Sequence, residues 1–317
     1  MPTISIRGNE MPASPIRKLA PLADAAKQRG VHVFHLNIGQ PDLPTPQVAI
    51  DAIRNIDRKV LEYSPSAGYR SYREKLVGYY AKFNINLTAD DIIITSGGSE
   101  AVLFSFLSCL NPGDEIIVPE PAYANYMAFA ISAGAKIRTI ATTIEEGFSL
   151  PKVEKFEELI NERTKAILIC NPNNPTGRTA QPELLREIVR KCIENGVKLV
   201  VDECFNDFLT DAERHTRKDL LESNPGLIIL RAYTKMYAVP GVRFGWCMTA
   251  DAVLIEKLYH AGQPWNVSVI AQACAVAAAN EPDWAIETAK RIDLLHGSEI
   301  RELLKLTAQP DIISFAG

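Results

Sequence analysis

The chain has 317 residues, of which 47% are hydrophobic and 23% charged, so it can bury a large core. Its formal net charge of −4 is spread along the sequence without a basic run. This distribution disfavours nucleic acid and anionic membrane surfaces as partners and favours a small-molecule substrate. No apolar stretch reaches the ~18 to 20 residues that span a bilayer, and the N-terminus has no apolar signal segment. We therefore predict a cytoplasmic protein with no membrane partner.

The six cysteines lie far apart along the chain, and most of them are embedded in apolar segments. None belongs to a C-x-x-C pair, and the five histidines do not combine with them at metal-ligand spacing. The pattern predicts reduced thiols in the protein core and no metal site.

The chain begins with an expected N-terminal arm carrying one helix over residues 12–30, followed by an extended, proline-bearing segment over 33–46. Seven β-branched runs bounded by Gly, Pro and Asn then predict buried strands at 92–95, 115–119, 136–140, 166–170, 198–202, 227–231 and 245–249. Helical patterns such as 99–110 and 182–195 lie between them. This alternation predicts an α/β fold with a doubly wound, mostly parallel seven-stranded sheet that has helices on both faces.

The region from 251 to about 306 is predicted to be almost continuously helical, with interruptions near 262–264 and at Pro282. We predict three parts: an N-terminal arm and helix over 1–46, a large cofactor-binding domain over 47–255, and an interdomain helix with part of a small, truncated C-terminal domain over 256–317. In doubly wound sheets ligands bind beyond the carboxyl ends of the strands, so the residues that follow the strands are the first candidates for a site.

A glycine pair follows the first predicted strand, where Gly97, Gly98 and Ser99 begin a helix. Glycine lets a ligand approach the backbone closely, and the N–H groups and dipole of a helix N-terminus favour a phosphate. The same pair is also compatible with a simple turn.

The segment Asn171-Pro-Asn-Asn-Pro-Thr-Gly177 follows a predicted strand and is rich in turn residues. It resembles the signature of fold-type I pyridoxal-phosphate aminotransferases of class I and II. The resemblance implies that Asn174 hydrogen-bonds the phenolic oxygen of pyridoxal 5'-phosphate. An Asx-turn loop without a ligand is the structural alternative.

Two further strand ends extend the resemblance. The apolar strand 198–202 ends in Asp202, which can pair with the protonated ring nitrogen of the cofactor or cap the next helix. The segment 234–245 resembles the family motif T-K-x-x-x-x-P-G-x-R-x-G. By that resemblance Lys235, preceded by Thr234, forms the Schiff base with the cofactor, and Arg243 clamps the phosphate with its planar fork.

Weaker matches fit the same family. Tyr123 resembles the aromatic residue that stacks on the pyridine ring, and Tyr63 resembles the tyrosine that reaches the phosphate of the neighbouring subunit, which implies a homodimer. Gly39 resembles the glycine that lines the substrate carboxylate pocket, although a purely structural arm is the alternative there. The resemblance covers residues 12 to about 297.

The chain also departs from the family pattern. Phe205 lies where many members have a tyrosine that hydrogen-bonds the cofactor, and Ala232 lies where a Ser or Thr often contacts the phosphate. Each change is expected to weaken cofactor binding by ~1 kcal/mol. Family members usually continue into a C-terminal domain that carries an arginine for the substrate α-carboxylate. Neither Arg291 nor Arg301 has the context of that arginine.

The two halves of the chain resemble different subgroups. The part before Gly177 is similar to aspartate and aromatic aminotransferases, whereas residues 178–296 are closer to histidinol-phosphate aminotransferase and threonine-phosphate decarboxylase. Residues 298–317 resemble the start of yet another aminotransferase subgroup. A recombined or designed chain is the hypothesis that this mosaic raises.

The leading interpretation is an aminotransferase that moves an amino group between an amino acid and a 2-oxo acid through Lys235. The first alternative is a pyridoxal-phosphate decarboxylase of a phosphorylated amino acid, because the bond that breaks depends on its orientation against the ring. The second is a scaffold that binds cofactor or proteins with weak or no turnover, because a poorly positioned substrate loses several kcal/mol of catalysis.

Overall fold

A computed structural model describes residues 3–12, 14, 17–35, 38–41, 43–81, 85–209, 215–216 and 218–293. Arg301, the segment 298–317 and the end of the predicted C-terminal domain lie outside the described residues. None of the helices within these ranges combines the length and apolarity needed to cross a membrane.

The centre of the fold is one seven-stranded sheet in which all seven predicted strands are present. The strands are β1 Ile92–Thr95, β2 Glu115–Glu120, β3 Lys136–Ala141, β4 Thr164–Cys170, β5 Lys198–Asp202, β6 Leu227–Ala232 and β7 Gly245–Met248. Their spatial order is β1-β7-β6-β5-β4-β2-β3, and β7 runs antiparallel to both of its neighbours while the other pairs are parallel. The connection from β6 to β7 contains only a short 3₁₀ turn at Pro240–Val242, so the chain returns in the opposite direction without a crossover helix. The predicted mostly parallel sheet is confirmed.

Helices connect the strands and flank the sheet on both faces. Their bounds are α1 Ile6–Glu10, α2 Ala20–Gln28, α3 Gln47–Arg54, α4 Arg70–Ala81, α5 Gly98–Cys109, α6 Asn125–Ala133, α7 Val153–Glu157, α8 Pro182–Glu194, α9 Ala252–Ala261, α10 Val269–Ala279 and α11 Pro282–Asp293. The predicted helices at 99–110 and 182–195 are α5 and α8, displaced by no more than one residue. The predicted interruptions of the last helical region separate α9, α10 and α11.

Side-chain caps set the start of two of these helices. Asp251 accepts hydrogen bonds from the backbone N–H groups of Val253 and Leu254 at the start of α9. Ser268 does the same for the start of α10. Because the first N–H groups of a helix have no intrahelical partner, such caps stabilise the helix start by about 1 kcal/mol each.

The core has two halves because successive residues of a buried strand point to opposite faces of the sheet. In β5, Leu199 and Val201 join the half that contains side chains from α4, α8 and α10. Val200 joins the other half with side chains from α5, α6 and α9. The strands are therefore apolar on both faces, as expected for a parallel sheet covered on each side.

The carboxyl ends of β4, β5 and β6 meet at one edge of the sheet. Cys170 is paired in register with Asp202, and Asp202 is paired with Leu230. The loops that follow these strands carry the residues predicted to form the site, and the start of α5 lies beside them because β1 and β7 extend the same sheet.

Candidate active site

The predicted phosphate cradle is a glycine turn between β1 and α5. Gly97 is the N-cap of α5 with φ of +94°, a conformation that side chains rarely adopt. A Cβ added at Gly97 would lie 2.8 Å from Nη2 of Arg243, and a Cβ at Gly98 would lie 2.7 Å from Sγ of Cys204. Glycine at these two positions thus lets Arg243 and Cys204 pack directly against the N-terminus of α5.

Arg243 lies 146 residues after Gly97 in the sequence and brings a positive charge to this cradle. Its backbone is left-handed, with φ of +58°, and its Nη1 donates to the carbonyl oxygen of Pro240 at 3.2 Å. Gly245 makes the approach possible, because a Cβ there would lie 2.7 Å from the carbonyl carbon of Gly97. The exposed guanidinium and the N–H groups of α5 have the chemistry that suits a phosphate.

Lys235 lies half-buried in the loop after β6, directly after the buried Thr234. Its Nζ donates to the carbonyl oxygen of Gly39, so the structure brings the predicted lysine and the predicted glycine of the arm together. Burial lowers the pKa of Lys235, and the nearby charge of Arg243 lowers it further. A lysine in this setting is more often neutral, which is the state that attacks a carbonyl or takes a proton.

Asp202 ends β5 and is only 7% exposed. Its Oδ2 accepts a hydrogen bond from the hydroxyl of Tyr126 at 2.7 Å, and its Oδ1 accepts from the backbone N–H of Cys204 at 3.0 Å. The next helical turn, Asn206–Phe208, has Phe205 as its N-cap, so Asp202 does not have the alternative role of a helix cap. It is a buried, oriented carboxylate at the carboxyl edge of the sheet.

The asparagine loop after β4 is held by two of its own side chains. Asn171 donates to the carbonyl oxygen of His215 at 2.9 Å and accepts from the N–H of Ala180 at 2.8 Å. Asn173 accepts from the N–H of Thr176 at 3.1 Å, which is an Asx-type turn. Within the described ranges the side chain of Asn174 makes no hydrogen bond, so the loop leaves its amide available for a ligand.

Asn174 and Phe205 line the same pocket, which has a volume of about 280 Å³. The other lining residues are Pro172, Asn173, Pro175, Gly177, Phe208 and Leu209. Apart from the two asparagines these side chains are apolar, so the pocket fits the ring and apolar atoms of a ligand better than its charges.

The two predicted tyrosines have different environments. Tyr123 is half-buried, accepts a hydrogen bond from Nδ2 of Asn125 at 2.6 Å, and contacts the ring of Tyr126 edge-on with centroids 5.3 Å apart. Tyr63 is 78% exposed and stacks on Trp265 with centroids 4.8 Å apart. Tyr123 thus belongs to the cluster around Asp202, whereas Tyr63 presents an aromatic surface to the outside of this chain.

Beneath the site lies a buried ion cluster that the sequence did not predict. Arg231, only 2% exposed, lies with its Nε 3.3 Å from Glu203 and its Nη1 2.7 Å from Asp207. Thr216 donates a further hydrogen bond to Glu203 at 2.7 Å. Because both carboxylates come from the segment that follows Asp202, the cluster fixes the loop on which the candidate site is built.

Tyr126 is the other residue that sequence reasoning missed. Tyr126 lies in the first turn of α6, three residues after Tyr123, and this closeness in sequence was a usable signal for a shared environment. Nothing in the local sequence indicated its partner, which lies 76 residues later.

Comparison with known proteins places these features in a family. The sequence profile of the family described as aminotransferase class I and II matches residues 31–309. An aspartate aminotransferase of Thermotoga maritima is 29% identical over 254 residues, which are 79% of this chain and 67% of the relative. A probable aspartate/prephenate aminotransferase of Aquifex aeolicus is 28% identical over 312 residues, 96% of this chain and 79% of the relative.

Solved structures give the same result for the fold. The aspartate aminotransferase of Thermus thermophilus with maleate superposes with a TM-score of 0.83 at 27% sequence identity, covering 92% of this chain and 76% of that one. The predicted fold of the pyridoxal-phosphate transferases is thereby confirmed. The alignment with the Aquifex aeolicus relative spans nearly the whole chain, and the recombined or designed origin stays an untested hypothesis.

Proposed function

This chain belongs to the class I and II aminotransferases, and we propose that its cofactor site is the cluster at the carboxyl ends of β4, β5 and β6. It is a pyridoxal-phosphate-dependent enzyme that moves an amino group between an amino acid and a 2-oxo acid. The comparisons do not favour decarboxylation or an inactive scaffold, because the relatives described above are named aminotransferases.

The residues of the cluster fit pyridoxal 5'-phosphate in three separate places. Gly97 lets the guanidinium of Arg243 lie against the N-terminus of α5, where N–H groups and a positive charge together suit a phosphate. The buried carboxylate of Asp202 suits a protonated ring nitrogen. Lys235, with its lowered pKa, suits an aldehyde. The single observation that carries the proposal is that these groups, distant in sequence, share one edge of the sheet.

When bound, pyridoxal phosphate supplies an aldehyde that accepts an amino group and a ring that withdraws electrons from the substrate's Cα. In our proposal Arg243 and the N–H groups of Gly98 and Ser99 hold the phosphate. Tyr123 covers one face of the ring, and Asn174 donates its amide to the phenolic oxygen. Fixing the ring in this way orients the bond that is to break.

Lys235 is the proposed catalytic residue. In its neutral form it would take a proton from the substrate's Cα and deliver it to the carbon that carried the cofactor's aldehyde, acting as general base and then as general acid. Its lowered pKa keeps a larger fraction of the amine neutral. The carbonyl oxygen of Gly39 accepts a hydrogen bond from Nζ, which holds the amine at the arm where the substrate carboxylate is proposed to lie.

The proposal extends to the domain division, the oligomeric state and the location of the protein. We propose the division into an arm over 1–46, a cofactor domain over 47–255 and a C-terminal part over 256–317, since the whole sheet lies within 92–248. A homodimer is supported by the exposed Tyr63 and Trp265, which are 78% and 55% accessible. A cytoplasmic location is supported by six cysteines that are all free.

Absorbance spectroscopy with added pyridoxal phosphate tests the proposed site. We expect a near-visible band in the wild type that borohydride fixes covalently to the protein, and no fixed cofactor in Lys235→Ala. Lys165→Ala removes an exposed lysine that also donates to a backbone carbonyl, and it should behave as the wild type. Cofactor fixed equally in all three proteins would contradict the role of Lys235.

Transfer of the amino group is then measured by the appearance of the 2-oxo acid product. Aspartate is the first donor to test, because the relatives are named after it. A wild-type protein that binds the cofactor but forms no 2-oxo acid with any amino acid of a complete panel would contradict the proposal for this chain.

A further inference from the structure

Tyr126 and Asp202 form a buried hydrogen bond between α6 and the end of β5. The hydroxyl of Tyr126 lies 2.7 Å from Oδ2 of Asp202, and Tyr126 is 2% exposed. A pair buried to this extent gains more from the bond than a pair in water, and it loses more when one partner is removed.

The direction of this hydrogen bond is fixed by burial. Burial raises the pKa of Tyr126 well above its ordinary value, and the charge of Asp202 raises it further. The phenol therefore keeps its proton and donates it to the carboxylate. Asp202 in turn is held at both oxygens, because Oδ1 accepts from the N–H of Cys204 at 3.0 Å.

Two cysteine thiols also lie around this carboxylate. Burial raises the pKa of Cys170 and of Cys204, so both thiols stay protonated. The buried cation Arg231 is engaged with Glu203 and Asp207. Among the residues that the structure describes, the hydrogen-bond donors to Asp202 are neutral groups, so its charge can pair with a cationic group of a ligand.

We infer that Tyr126 is a positioning residue, which holds Asp202 in the orientation that receives the ring nitrogen of the cofactor. The inference rests on the proposed function, in which Asp202 pairs with that nitrogen. Tyr126 also contacts the ring of Tyr123 edge-on, with an interplanar angle of 87°. One side chain therefore aligns both the carboxylate at the edge of the cofactor ring and the aromatic side chain over its face.

Removing the hydroxyl of Tyr126 should weaken binding through the ring nitrogen alone. The test measures the affinity of the cofactor-free protein for pyridoxamine phosphate, which has an amine in place of the aldehyde and so binds without reacting with Lys235. Tyr126→Phe should lower this affinity about tenfold, the loss expected for one hydrogen bond to a charged group. For an analogue with carbon in place of the ring nitrogen, Tyr126→Phe and the wild type should bind equally.

Tyr80→Phe is the matched control. Tyr80 is fully buried and its hydroxyl accepts a hydrogen bond from Nε1 of Trp246 at 3.0 Å, away from Asp202. Its substitution should lower thermal stability and leave both affinities unchanged. Asp202→Asn provides a second comparison: in that background Tyr126→Phe should have no further effect on the affinity for pyridoxamine phosphate.

The outcomes separate this inference from the proposed function. If the wild type does not bind pyridoxamine phosphate, the proposed cofactor site is wrong and the inference falls with it. If the wild type binds and Tyr126→Phe binds equally well, only the inference is overturned. An equal loss for both probes would also overturn it, since a merely structural role of Tyr126 predicts that result.

Discussion

The guanidinium of Arg243 lies directly against the α-carbon of Gly97, where a Cβ would come within 2.8 Å of Nη2. This contact joins the loop after β6 to the start of α5, and it places a positive charge of the proposed phosphate cradle at the N-terminus of a helix. The cradle therefore depends on a residue that has no side chain.

Gly97→Ala should weaken phosphate binding as well as the fold. The alanine must adopt φ near +94° and displace Arg243, so we expect a loss of ~1 to 3 kcal/mol in the free energy of unfolding and at least tenfold weaker binding of pyridoxal phosphate. Chemical denaturation and cofactor titration measure the two effects. Gly113→Ala is the control, because Gly113 has φ of +91° with no atom within 4 Å of the added Cβ. Gly113→Ala should lose stability and keep the wild-type affinity for pyridoxal phosphate. If Gly97→Ala also kept that affinity, the proposed role of Gly97 in phosphate binding would be contradicted.

Lys235 should destabilise the cofactor-free protein at neutral pH. Its pKa is lowered by burial and by Arg243, so folding costs free energy while the lysine is protonated in both states. This loss of folding free energy is complete at a pH below the lowered pKa. It disappears as the pH rises from the lowered pKa of the folded state to the pKa of 10.5 in the unfolded state. Lys235→Met should therefore be more stable than the wild type at pH 7, by a margin that shrinks with rising pH.

Denaturation of the two proteins between pH 7 and pH 10 checks this dependence. Lys165→Met is the comparison, because this exposed lysine also donates to a backbone carbonyl, that of Glu162, at 2.7 Å. Its difference from the wild type should not change with pH. A constant margin for Lys235→Met would show that the gain comes from the apolar side chain alone.

The sequence predicted the sheet well and indicated the segments of the proposed site, because both depend on local patterns. The apolar strand that ends at Asp202 and the motif around Lys235 are each readable within about a dozen residues. The contacts between segments were not predictable in the same way. Tyr126 meets Asp202, and Lys235 meets Gly39, only because the fold brings segments that are distant in sequence to one edge of the sheet.

The ion cluster was missed for a different reason. In a single sequence, a charged residue near a strand end is most often solvated, and Arg231 and Glu203 have no local feature that marks them as buried. Arg231 is buried because its strand, β6, lies between β5 and β7 inside the sheet, and Glu203 directly follows β5. Only the packed sheet shows that the charge of Arg231 is neutralised inside the protein.

Arg231→Met should be strongly destabilising. It removes the cation that pairs with the buried carboxylate of Glu203 and the half-buried carboxylate of Asp207, and breaking a buried ion pair costs ~3 to 5 kcal/mol. Chemical denaturation measures the loss. Lys155→Met breaks the exposed pair with Glu158, whose atoms lie 2.9 Å apart, and should change stability little. Similar losses in both variants would mean that the cluster is better solvated than its burial indicates.

Phe205→Tyr should strengthen cofactor binding. Phe205 lies where many family members have a tyrosine that hydrogen-bonds the cofactor. Because Phe205 and Asn174 line one pocket, we expect a hydroxyl at this position to reach the phenolic oxygen that Asn174 is proposed to bind. One added neutral hydrogen bond is worth ~1 kcal/mol, or about fivefold in the dissociation constant of pyridoxamine phosphate. The side chain of Phe205 is half-buried at the pocket wall, so we expect the protein to tolerate the added hydroxyl.

Phe208→Tyr tests whether the position of the new hydroxyl matters. Phe208 lines the same pocket, with its ring centroid 6.1 Å from that of Phe205, but it is three residues further along the chain. We expect no gain in affinity from this variant. If both substitutions strengthen binding equally, the gain reflects a more polar pocket and not a hydrogen bond at the phenolic oxygen. If neither does, the cofactor ring lies further from Phe205 than the shared pocket with Asn174 indicates.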